Sequence, residues 1–222
     1  MTFFENPKLR YKKLLIVLLP IFLVFLVMVF LSYRSIKSSF GSSSSSSNNK
    51  TNSIESMDYH LRDNATEYQI ELFKELDEAV KNENEQEIVE GVAKNFIADA
   101  YTWTNKEDMW DVGGMCYVYS RYKTTTYYEL RDSLYQLMAR SKRELKNDED
   151  LLEVTNVEIT SCTKRSELFE IEENKYEAYD VSCYITYSGD KVKGYMTHNQ
   201  YLTIIKNTNM DGRYEIAASY GD

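Results

Sequence analysis

Two histidines, three cysteines and a tryptophan pair are where chemistry in this 222-residue chain would have to start. His198 lies in Tyr195-Met-Thr-His-Asn-Gln200. It is the candidate pocket residue, a general base if a carboxylate such as Asp111 or a strand tyrosine faced it. The sequence places no acid beside it, and a lone histidine is more often a surface or hydrogen-bonded residue. His60 has no such neighbour either. No C-x-x-C or H-E-x-x-H occurs, so no zinc site is expected, and no cofactor. Cys116, Cys162 and Cys183 are too few for a disulfide scaffold. The expectation is a protein without catalytic or metal residues. Asn49 and Asn64 open Asn-x-Thr patterns that matter only in a eukaryotic secretory pathway.

The second informative stretch runs from Trp103 to Tyr117 and includes Trp110-Asp-Val-Gly-Gly114. Helical periodicity breaks there, and a Gly pair beside an Asp predicts an ordered loop with positive φ at a glycine. Trp103, Trp110, Asp111, Gly113 and Gly114 form a candidate interaction loop for a ligand or partner. The alternative, which we favour, is that the tryptophans plug the open end of the core.

Several elements must position these residues. Leu14–Leu31 is an uninterrupted apolar run of eighteen residues. As a helix it spans roughly 27 Å, close to the hydrocarbon thickness of a bilayer. It lacks a small-x-small cleavage site and is apolar on every face, so we read 14–33 as an uncleaved transmembrane helix. Lys8, Arg10, Lys12 and Lys13 precede it, which places the tail 1–13 in the cytoplasm and the rest outside. Residues 34–58, with the tract Ser42–Ser47, read as a flexible tether. Residues 51–222 hold 19 basic and 34 acidic residues, a balance of −15. Such a surface repels a phosphate backbone, so no direct nucleic-acid partner is expected.

Residues 59–222 are long enough for one domain with its own core. Helices are predicted over 67–82, over 85–103 with the stripe Ile88/Val89, Val92/Ala93, Phe96/Ile97, Ala100/Tyr101, and over 127–145 with Tyr127, Leu130, Leu134, Leu137, Met138 and Leu145 inward. Strands are predicted over 153–164, 178–187, 193–206 and 214–220. The fold class is α+β: helices on a four-stranded antiparallel sheet.

Cys162 and Cys183 flank a hairpin with its tip near Glu173-Asn174. Residues opposite each other in an antiparallel pair share a face. The apolar sets are odd on both strands (Val157, Ile159; Tyr179, Val181, Ile185), so a pairing such as 161 with 185 puts Cys183 on the apolar face and Cys162 on the other. Free thiols are predicted. A bulge would shift the register by one and bring the two to the same face.

The order helix, helix, Trp/Gly loop, helix, four antiparallel strands resembles the cone-shaped, curved-sheet fold of nuclear transport factor 2. Together with the Leu14–Leu31 anchor, the helical stripe Ile88–Tyr101, the Trp110–Gly114 loop and the strands from Val154 to Tyr220, the chain resembles the bitopic assembly-factor scaffold of type IV secretion and conjugation systems. The resemblance covers most of the chain but rests on no diagnostic residue string. It implies a single-pass plasma-membrane protein that assembles with other envelope proteins and with itself, and that has no catalytic residues. A membrane-anchored small-ligand binder, a sensor ectodomain, and a pocket enzyme of the same fold are the alternatives. Nineteen tyrosines suit a contact surface, though strands and core rims also favour them. The topology has a direct test. A reporter enzyme active only outside the cytoplasm, fused after Asp222, is expected to work; activity only from a cytoplasmic reporter at that site overturns the orientation.

Overall fold

The structure, a computed structural model, describes residues 52–145, 150–210 and 212–221. The basic tail, the apolar run and most of the tether lie outside the described residues. Among the described residues no helix is long and apolar enough to cross a membrane. The described fold starts inside the stretch expected as tether. A short hairpin, β1 (Ser53–Ile54) and β2 (Tyr59–His60), buries Ile54 and Tyr59 in the core.

Helix α1 (Glu67–Lys81) opens on a capping box, the Thr66-x-x-Gln69 pattern. Gln69 N–H donates to Thr66 Oγ1 at 3.3 Å, and Thr66 N–H donates to Gln69 Oε1 at 3.0 Å. Helix α2 (Glu85–Tyr101) starts at the cap Asn84 and buries the whole predicted stripe. The two helices approach closely at Gly91, where a Cβ would lie 2.9 Å from Leu76 Cδ1. Buried Asn95 ties them by donating to Leu72 O and Gly91 O.

The third helical rod starts earlier than the periodicity predicts. It consists of α3 (Lys123–Leu130), a π-helical turn (Arg131–Tyr135) and α4 (Gln136–Glu144). The π turn also moves the buried stripe. Leu130, Leu134 and Leu137 are only half-buried, whereas Tyr135, Met138 and Ser141 are buried. A widened turn rotates everything after it about the helix axis, so a stripe read at 3.6 residues per turn loses phase there.

The main sheet is antiparallel in the order β3 (Glu153–Lys164), β6 (Ala178–Ser188), β7 (Asn199–Asn207), β8 (Arg213–Gly221). A small hairpin, β4 (Phe169–Ile171) and β5 (Asn174–Tyr176), interrupts the first connection. It turns at Glu172, φ 55°, next to the expected tip. The strand predicted from residue 193 starts at Asn199, because Lys193–Tyr195 forms a 3-10 turn. The main core lies between the helices and one face of the sheet. Tyr119, Ile171, Tyr176, Ala178 and Ile205 form a second, smaller cluster.

The cysteine register needs correction. Ile185 pairs with Val157 rather than with residue 161, and bulges lie at Val154/Asn156 and Ile159/Ser161. The second bulge turns Cys162 to the core side, opposite Val181, while Cys183 faces Ile159. The two cysteines are therefore diagonal neighbours on one face, and both are unbridged. Burial pushes the Cys162 thiol up to about 11 and the Cys183 thiol up to about 12.

Tyr59 tests where the domain begins. Its hydroxyl donates to Tyr214 O at 2.7 Å and accepts from Tyr214 N–H at 3.2 Å, both buried. Tyr59→Phe leaves both backbone groups unpaired and is expected to cost about 1–3 kcal/mol. Equilibrium denaturation measures it; an unchanged midpoint would detach residues 53–60 from the folded unit.

Candidate functional site

The Trp103–Gly114 loop is built around a buried ion cluster. Asp99, near the C-terminal end of α2, interrupts an apolar stripe at a place where the helix dipole disfavours an acid. Its compensation comes from two segments. Arg62 Nε donates to Asp99 Oδ1 at 2.7 Å, and Lys106 Nζ donates to the same oxygen at 2.9 Å. Gly114 N–H donates to Asp99 Oδ2 at 2.6 Å. Arg62 also grips Asp111 through both terminal nitrogens, at 3.1 and 3.3 Å. Two cations and two carboxylates thus balance in one cluster. The Lys106 side chain is 0 % exposed and that of Asp99 21 %. Burial alone would raise the Asp99 pKa, but Lys106, Arg62 and the Gly114 N–H outweigh it and hold the carboxyl below its ordinary value. For Lys106 burial wins over Asp99, so its pKa is lowered.

The cluster explains the glycine pair. A Cβ on Gly113 would stand 2.2 Å from Asp99 O, and Gly114 has φ +78°. Only residues without a Cβ let the loop lie this close to α2. Gly113 N–H donates to the Tyr135 hydroxyl at 2.7 Å, which donates to Ala100 O at 3.0 Å. The π turn, the loop and the end of α2 are thereby tied together.

The two tryptophans do different things. Trp103 is 0 % exposed and its backbone N–H donates to Leu152 O at 2.7 Å, so it plugs the core. Trp110 is 58 % exposed. Its backbone N–H donates to Asp108 Oδ1, and its carbonyl accepts from the Tyr127 hydroxyl. The Arg131 guanidinium lies 4.7 Å from the Trp110 ring and 4.5 Å from the Tyr128 ring, and Asp132 holds it with two hydrogen bonds.

His198 lies just before β7, away from this loop in sequence. Its Nδ1 is 2.7 Å from Ile185 O, and its ring stacks on Tyr184 and lies against Tyr187. The contacts around the ring are tyrosines and a carbonyl, so the general-base arrangement with Asp111 is not formed. Asp111 spends its oxygens on Arg62 and on the Glu107 N–H.

Reading the sequence missed Arg62, Asp99 and Lys106. The available signal was Asp99 itself, an acid inside an apolar stripe and at the wrong end of a helix. Below the cluster, His60, Leu61, Arg62, Gln69, Asn95, Asp99 and Tyr117 enclose about 10 Å³, room for at most one water. Two larger depressions lie elsewhere. One of about 250 Å³ between α1 and α2 is lined by Glu75, Glu78, Glu87, Glu90 and Lys94. The other, about 490 Å³, lies between α4 and residues 191–195. No three His, Cys, Asp or Glu residues among those described are grouped to hold a metal ion.

Comparison of the chain with protein-family models, curated proteins and solved structures gives no match.

Removing Asp99 strands the buried Lys106 and leaves Arg62 with Asp111 alone, so Asp99→Ala is expected to cost about 3–5 kcal/mol. The pH dependence has a definite sign. A depressed carboxyl stabilises fully above its unfolded value of 3.8, and that stability is lost as pH falls through the lower folded value. Asp99→Asn should therefore be less stable at pH 7 and lose less stability between pH 4 and pH 2 than the wild type. Denaturant midpoints across that range decide it; parallel acid profiles would show that Asp99 does not carry the cluster.

Proposed function

We propose that this chain is a non-enzymatic, membrane-anchored interaction protein of a cell-envelope complex. Its α+β domain stands outside the cytoplasm on the anchor 14–33 and a Ser-rich tether. The domain is taken as the cone-shaped, nuclear-transport-factor-2-like type, and the complex as a conjugation or type IV secretion channel, following the resemblance of element order.

One observation carries the reading. Lys106 and Asp111 of the Trp103–Gly114 loop are spent on holding it through Asp99 and Arg62, and Trp110 stands exposed beside Tyr128 and Arg131 of the helical rod. Trp, Tyr and Arg are the residue types that dominate binding energy at protein interfaces. A ligand-binding or catalytic site would instead leave convergent polar groups free in a concave pocket.

The test uses the full chain, tagged at its C-terminus and cross-linked in native membranes. Expected partners are integral or peripheral envelope proteins, and the same set is expected with His198→Ala. A His198→Ala chain that folds normally and loses function in the cell would favour the pocket reading instead.

A further inference from the structure

We propose that the Trp110 patch docks a basic, arginine-bearing segment of a different protein, whose guanidinium covers the open part of the indole while the acids beside it take the charge. This rests on reading the patch as an interface and adds the kind of partner that it fits.

The ring comes first. Trp110 is 58 % exposed and Tyr128 is 48 % exposed. Among the described residues the cation over the indole is Arg131, 4.7 Å from that ring and 4.5 Å from the Tyr128 ring. The rest of the indole is open, and the face of an aromatic ring attracts cations. Its backbone is held on both sides, by Asp108 at the N–H and by the Tyr127 hydroxyl at the carbonyl. Trp110 lines none of the three depressions described above, and small-molecule sites are concave, so a protein segment fits it better than a small cation.

Charge gives the sign of the partner. Glu107, Asp108 and Glu129 are exposed and have no ion-pair partner among the described residues. Asp108 stands at the foot of the ring, its Oδ1 accepting from the Trp110 N–H at 2.8 Å. The nearby cations are already engaged. Asp132 holds Arg131, the carbonyls of Lys106 and Glu107 hold Lys142, and Asp99 and Asp111 balance Lys106 and Arg62. The surplus is therefore negative and complements a basic surface. A phosphate backbone or an anionic lipid surface is repelled by the same charges.

The patch also contains the proposed contact in miniature. Arg131 lies over two rings while Asp132 grips it through Nε and a terminal nitrogen, at 2.6 and 2.8 Å. A planar guanidinium can stack on a ring and fork onto a carboxylate at once, which an ammonium cannot. Trp110 with Asp108 at its foot offers the same pairing of ring and carboxylate to an arginine from outside.

The experiment uses the full chain in neutral detergent micelles and reads the anisotropy of a labelled short peptide of alternating Arg and Ala. Peptides with Lys or Glu in place of Arg are the comparisons. The Arg peptide is expected to bind saturably, the Lys peptide roughly threefold or more weakly, and the Glu peptide not at all. Binding should weaken as salt rises from about 0.05 to about 0.3 M. Trp110→Ala should reduce the affinity roughly tenfold or more. Asp108→Asn keeps an acceptor for the Trp110 N–H; combined with Glu107→Gln and Glu129→Gln it should weaken binding at low salt and remove most of the salt dependence. The same charge change on α1 and α2, Glu71→Gln with Glu78→Gln and Glu87→Gln, should leave binding unaltered. All these side chains are exposed, so the variants should melt at the wild-type temperature. No preference for Arg over Lys or Glu, an affinity that Trp110→Ala leaves unchanged, or equal losses in the two triple variants overturns the proposal. If any of these is found while envelope partners are captured by cross-linking in native membranes, the basic partner falls and the scaffold reading stands. Trp110-dependent binding of the Arg peptide by a chain that captures no envelope partner supports the docking surface and overturns the scaffold reading.

Discussion

A carboxylate near the C-terminal end of a buried helix is an unfavourable arrangement, and Asp99 makes the surrounding structure answer it. The helix dipole opposes its charge and burial opposes it again. Arg62 comes from the segment after the first hairpin, Lys106 from the loop after α2, and the Gly114 N–H from the far end of that loop. The segment after the first hairpin and both ends of the loop are thus fixed to α2 by one side chain. Asp111 adds a second carboxylate that balances Arg62 and anchors the middle of the loop. A buried ion pair adds little net stability compared with apolar packing, but breaking it is expensive. The cluster therefore specifies where the loop lies more than how stable the domain is.

The helical rod turns that specification outward. Tyr135 faces in and bridges Gly113 to Ala100, while Arg131, four residues earlier, lies over the exposed Trp110. In an ordinary α-helix residues four apart share one stripe. The π turn separates their directions, so one turn of backbone serves the interior with one residue and the surface with the other.

Strong local signals were legible in the sequence, and contacts between distant segments were not. The α1 and α2 stripes are periodic and short-range, so both helices emerge within two residues of their observed ends. Strand β3 emerges at its observed bounds because Val157, Ile159 and Ser161 alternate with their neighbours. The third rod was misphased because a π turn has no marker in residue type. Residues 53–58 of the first hairpin read as tether because the hairpin's burial depends on Tyr214 and Arg213, more than 150 positions away. The loop residues Trp103, Trp110, Asp111, Gly113 and Gly114 were singled out by composition. Their separation into core plug, ion-pair partner, close-approach glycines and exposed indole required the fold. Arg62 and Lys106 had no local pattern at all.

Trp110 shows what the domain forgoes. Leaving more than half of an indole in water forfeits about 3 kcal/mol of burial, at roughly 25 cal/mol per Å² of apolar surface. A flexible exposed side chain would return some of that as rotamer entropy, yet the Arg131 guanidinium over the ring removes part of that freedom as well. Both losses fall on the free chain. Neither would be incurred again on covering the indole with a partner, because the surface is already exposed and the ring already held. Preorganisation of this kind lowers the cost of association and slows dissociation. The rigidity comes from the same loop that Asp99 holds against α2. The buried cluster and the exposed tryptophan are in that sense one device, with the charge balance inside fixing the geometry that the surface presents.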